Sequence, residues 1–127
     1  MAKISIQQKP TFTADVEIPR IGDKPIKVQF TFAYLDRDQL AEFADGEITH
    51  STALSEIIKK GDATVKDVTV TVADFEFNHL KTIIKAWSFD DEFNDDNLRA
   101  LVRSASAVPA AILTAYKGAY HKAREGN

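Results

Sequence analysis

The chain has 127 residues, 44% of them hydrophobic and 28% charged, the size and balance of one globular domain, which excludes a fibrous or disordered class. Its formal net charge of -3 supplies no general field for a phosphate backbone, so no nucleic-acid partner is expected. With no cysteine, there is no disulfide framework, no thiolate nucleophile and no Cys-containing zinc site.

The first residues, Met1-Ala2-Lys3-Ile4-Ser5-Ile6, contain no apolar signal core, and the run Val108 to Leu113 is too short to span a bilayer. A soluble, cytoplasmic protein without a membrane partner is the expectation. Residues Thr11 to Ile18 alternate, with Phe12, Ala14, Val16 and Ile18 on one face, as in a half-buried strand. After a connection over Pro19 to Pro25, Ile26, Val28, Phe30 and Phe32 alternate with Lys27, Gln29 and Thr31. The Gly22-Asp23 turn between them predicts an antiparallel hairpin whose aromatic face must be covered by the helices downstream.

Asp36 is placed to cap a helix carrying Leu40 and Phe43, which Gly46 would stop. A second short helix is expected over Thr52 to Lys60, capped by Ser51, with Leu54, Ile57 and Ile58 as its stripe and Gly61 at its C-terminus. In Thr64 to Val72, Val68, Val70 and Val72 alternate with Asp67, Thr69 and Thr71, and the β-branched content predicts a strand. The period then changes: Phe77, Leu80, Ile83, Ile84 and Trp87 fall on one side of a helix. Phe75 lies off that stripe. Either the helix begins before it and has a second apolar face, or Phe75 sits in a turn ahead of a helix capped by Asn78.

Trp87 to Asn94, Trp-Ser-Phe-Asp-Asp-Glu-Phe-Asn, reads as a helix-to-helix junction, with aromatics to anchor it and acids to suit the positive N-terminus of the next helix. Asn94 is the expected cap of a helix containing Leu98, Leu101, Val102 and Ala105, with Arg99 and Arg103 on its other side. Pro109 suits the first turn of a final helix, banded by Ile112, Leu113, Tyr116, Ala119 and Tyr120, with basic residues toward its carboxyl end and Glu125 to Asn127 fraying. No repeat or linker divides the chain. The expected fold is α+β over residues 1–127: an N-terminal antiparallel hairpin or small sheet against several helices, with a helical C-terminal half.

Motifs for chemistry are wanting. Aligning Asp90, Glu92 and Asn94 with the first, third and fifth positions of a calcium loop puts Asp95 where the glycine belongs and Leu101 where the bidentate acid belongs. His50, His79 and His121 lie far apart and in no metal-ligand spacing, and the five glycines build neither a phosphate loop nor a nucleophile elbow. Lys59-Lys60 and Lys81 with Lys85 have acids nearby and no interleaved stacking aromatics. Neither an enzyme, a metal site nor a cofactor is expected.

Several segments in order resemble the tail assembly chaperones of long-tailed bacteriophages. They are Ala2-Lys3-Ile4-Ser5-Ile6 followed by Pro10-Thr11-Phe12, Val28 to Phe32, a helix into Ala86-Trp87, Asp91-Glu92-Phe93-Asn94, and Pro109-Ala110-Ala111-Ile112 leading to Ala115-Tyr116. One departure is Ser104 to Val108, where such sequences have a more polar, tyrosine-containing approach to the proline. The resemblance implies a non-enzymatic protein of the host bacterial cytoplasm that forms homo-oligomers and binds the tape measure protein during tail tube assembly. It also implies absence from the mature virion, and a longer frameshifted form that reaches the tail tube protein. The association surface is expected on the C-terminal half, including Phe75, Trp87, Phe89, Phe93, Tyr116 and Tyr120. The competing reading is a minor structural tail protein of a phage or prophage particle.

Overall fold

The computed structural model describes residues 4–125. The Ala2-Lys3 start of the resemblance and the expected fraying of Gly126 and Asn127 lie outside the described residues. Strands β1 (Thr11–Arg20) and β2 (Asp23–Ala33) form the expected antiparallel hairpin, with Phe12 opposite Phe32, Ala14 opposite Phe30 and Val16 opposite Val28. The connection is shorter than the Pro19 to Pro25 segment read from sequence. Only Ile21 and Gly22 turn, Gly22 at φ 70°, and the register slips between Ile18 and Arg20, where Pro19 has no amide proton to give the ladder.

Helix α1 (Arg37–Lys60) is continuous, so Gly46 does not stop it and Ser51 does not cap a second helix. Asp36 and Gln39 close a reciprocal cap: the Gln39 amide donates to the Asp36 carboxylate at 2.9 Å, and the Asp36 amide to the Gln39 side chain at 3.0 Å. An interior glycine costs about 1 kcal/mol against alanine. That penalty is offset by this cap, by the αL residue Gly61 at φ 74°, and by an inward stripe that runs past Gly46 through Leu40, Phe43, His50, Leu54 and Ile57.

Helix α2 (Val65–Ile83) replaces the strand expected over Thr64 to Val72. Thr64 and Asp67 cap each other at 3.0 and 3.1 Å, and the hydroxyls of Thr69 and Thr71 donate to the carbonyls of Val65 and Asp67 at 2.8 and 2.9 Å. Val68 and Val72 also lie one helical turn apart, so the alternation that suggested a strand is equally an arc of a helix facing its neighbours. Asn78 is no cap, since its amide donates to the Asp74 carbonyl in mid-helix, and Phe75 therefore lies inside the helix on a second face.

The helix ends at Ile83. Ile84 to Trp87, read as its continuation, form strand β3 (Ile84–Trp87), antiparallel to β2 with Phe30 opposite Trp87 and Phe32 opposite Ile84. The free edge of β2 supplies the reason: its exposed amides and carbonyls gain partners only if the chain extends there. Ser88 prolongs the pairing, its amide donating to the Gln29 carbonyl and its hydroxyl accepting from the Gln29 amide, both at 2.9 Å.

Helix α3 (Asp95–Ser104) starts as expected, with Asn94 accepting from the Asn97 amide at 2.8 Å; Ala105 is extended, and α4 (Ala107–Arg124) follows with Pro109 in its first turn. The sheet has the order β1-β2-β3. Val16, Ile18, Val28, Phe30 and Phe32 share one core with Phe77, Leu80, Ile83, Leu98, Val102, Ile112 and Tyr116 from the helices. The α+β class is as the pattern implied. Glu125 is tied to the end of α4, its amide donating to the carbonyls of His121 and Lys122.

Candidate interaction surface

The six aromatics singled out from sequence fall into three places. Trp87, Phe89 and Phe93 form one cluster at the junction, with Trp87 edge-on to Phe89 at 5.2 Å and to Phe93 at 4.9 Å between ring centroids. Phe30 of the sheet underlies it, 6.2 Å from Trp87 and 6.1 Å from Phe89. The indole N–H donates to the Asp91 carbonyl at 2.7 Å, which bends the acidic segment back over the ring. Asn97 donates to the Glu92 backbone carbonyl at 2.7 Å, Lys81 pairs with Asp95 at 2.9 Å, and Asp95 and Asp96 lie in the first turn of α3, where acids suit the positive helix end. Among the described residues no three His, Asp or Glu side chains converge as a metal site would require.

Tyr116 and Tyr120 lie in the body of the fold. Tyr116 is fully buried, its hydroxyl donating to the Ala33 carbonyl at 3.1 Å, and Tyr120 donates to the Leu35 carbonyl at 2.7 Å. These carbonyls lie where β2 leads toward α1, so α4 fastens that corner. Burial pushes both phenols above their usual range, Tyr34 adding to the effect, and they stay protonated donors.

Phe75 belongs to a third group, a column of rings joining α1 to α2. His50 stacks on Phe75 at 4.0 Å, Phe75 on His79 at 4.7 Å, and His79 on Phe43 at 3.6 Å. His79 is only 8% exposed, and its Nε2 has no hydrogen-bond partner. The Glu47 carboxylate, 3.7 Å away, is too distant for one and pairs with Lys117 at 3.3 Å. Burial lowers the His79 pKa, with Lys117 and His50 acting in the same direction and Glu47 opposing, so the ring is neutral at pH 7. Nothing in the position of His79 within the sequence signalled this, because the column depends on α1 being unbroken.

An open groove of about 600 Å³ runs beside the junction cluster, between the hairpin tip and α3. Ile18, Trp87, Phe89, Leu101 and Val108 line it with apolar surface, and Arg20, Asp91, Asn97 and Ser104 add polar groups. Ile21 at the tip is 91% exposed. Other exposed apolar side chains, Ile48, Ile58 and Val65, lie on α1 and α2, where the sequence reading placed no surface. The arrangement offers apolar contact area with polar edges.

The family described as phage tail assembly chaperone matches residues 1–127, and the chain belongs to that family. No curated protein and no solved structure matches it.

Proposed function

We propose that this phage tail assembly chaperone acts without catalysis, binding the tape measure protein in the host bacterial cytoplasm and self-associating along it while the tail tube is built. The family match over the whole chain carries the reading. A tape measure protein is long and helical, so apolar stripes on it are open to water and to aggregation until the tube encloses them. Small subunits arrayed along such a client hold it by many weak contacts at once. The groove at the junction supports the reading: its apolar lining is ready for an amphipathic helix, and Trp87 and Phe89 lie at its wall. The chaperone leaves before the virion is complete, and a longer frameshifted form provides the link to the tail tube protein.

The test is co-expression with overlapping fragments of the tape measure protein of the same phage or prophage. At least one fragment becomes soluble with the wild type and less so with Ala100→Arg, which fills the groove from an exposed position. No gain across the full length of the client overturns the proposal. Stoichiometric amounts of this chain in purified virions overturn the transient role.

A further inference from the structure

Helix α1 has a second stripe, turned about 100° from the one that faces α2. Ala41, Ala44, Ile48, Ser51, Ser55 and Ile58 follow one another at alternating spacings of three and four residues; all are exposed and none is charged. Ile48 is 65% exposed and Ile58 57%. A strict three-four alternation is the period of a seam between two supercoiled helices, with small residues allowing close approach and larger ones at intervals for grip. Beside the seam lie two exposed opposite charges, Asp45 toward its N-terminal end and Lys59 toward its C-terminal end.

We infer that two copies of the chain associate through α1, antiparallel, about a two-fold axis close to Ala53. The order of residues is what selects this partner. In that register Ile48 of each copy meets Ile58 of the other, Ser51 meets Ser55, and Asp45 faces Lys59 at both ends of the seam. A parallel, in-register pair gives neither charge an opposite partner, since Asp45 then flanks Leu40 and Lys59 flanks Leu54. Within one copy Lys59 is 75% exposed at the side chain, with only Glu56 at 3.8 Å, so it is free to reorient. The two-helix arm of α1 and α2 thereby becomes half of a four-helix arrangement. The inference rests on the self-association in the proposed function and names its surface.

The native chain has no cysteine, which permits a direct test on the full-length protein. Ser51→Cys and Ser55→Cys, prepared separately and oxidised, give little dimer alone and a covalent dimer when mixed. Self-cross-linking of each variant equal to that of the mixture, or no cross-link in the mixture, overturns the antiparallel seam. In sedimentation experiments Ile58→Ser weakens association about tenfold or more, because the two-fold places each isoleucine in the interface twice, while the far-ultraviolet spectrum stays unchanged. Lys59→Asp weakens association and Asp45→Lys/Lys59→Asp restores it. A wild type that oligomerises unaffected by Ile58→Ser sinks the seam but leaves self-association standing. A wild type that stays monomeric sinks both, and client solubility in co-expression then reads tape measure binding separately.

Discussion

The sheet with α3, α4 and the C-terminal end of α2 uses apolar residues in one way, and the arm made by α1 and the N-terminal part of α2 in the opposite way. In the body, Phe30, Phe32, Ile83, Ile112 and Tyr116 are 0% exposed, and strand pairs, aromatic contacts and buried hydroxyl bonds converge on one core. In the arm, the 24 residues of α1 bury one side chain, Phe43, while Ile48 and Ile58 of α1 and Val65 of α2 face water. A region that keeps itself folded is thus joined to one held by its caps, a column of rings and contacts along one face. The comparison teaches that the side chains closing the core and the exposed apolar side chains of α1 lie in different segments.

The largest expected effect lies in the body. Phe30→Ala, at the meeting of β1, β2, β3 and the junction cluster, should cost about 3 to 5 kcal/mol in urea denaturation, whereas Ile57→Ala in the arm should cost less than about 2 kcal/mol. Equal losses would erase the distinction. Trp87→Ala should fall between them at about 3 kcal/mol, because the indole is only partly buried and its N–H bond to Asp91 is local. A soluble Trp87→Ala protein of unchanged stability that no longer binds the client would assign Trp87 wholly to the interface.

The ring column sharpens the comparison through pH. His79 has a folded pKa below its ordinary value of 6.5, so the unfolded chain takes up its proton first. Its contribution to stability is complete above pH about 6.5 and is lost as pH falls from there toward the folded value, at up to about 1.4 kcal/mol per pH unit. His79→Phe keeps a ring between Phe43 and Phe75 and should flatten the stability profile over that window. An unchanged profile would remove His79 as the source. Smaller again, Thr64→Ala should lose about 1 kcal/mol by opening the cap of α2, seen as faster amide exchange over Val65 to Val68. Smallest, Asp74→Asn should change stability by less than about 0.5 kcal/mol, since its contacts with Arg99 and Arg103 are largely solvent-exposed.

What was legible in the sequence follows the same division. The hairpin was readable because Phe12 to Ile18 and Ile26 to Phe32 alternate on either side of a glycine turn, and Asp36, Gly61, Asn94 and Pro109 mark helix ends by their own local chemistry. Gly46 misled because a glycine penalty is local while the stripe from Leu40 to Ile57 that outweighs it spans the whole helix. Splitting the helix there also hid the outward stripe from Ala41 to Ile58. Thr64 to Val72 misled because Val68 and Val72 satisfy two periods at once, and the choice is made by the Thr64 cap and the packing on α1. Ile84 to Trp87 became a strand because β2 has an open edge, which no pattern within those four residues records. The aromatic junction was recognisable as an anchor, yet the groove beside it needs Ile18, Ile21 and Leu101 from elements distant in sequence.

The central claim is that this chain holds an unenclosed tape measure protein by repeated weak contacts. Native mass spectrometry of the purified chain mixed with a soluble tape measure fragment tests it directly. The account expects several copies per fragment, rising with fragment length and falling with Ala100→Arg. Fragments that emerge bare at every length and concentration would contradict it.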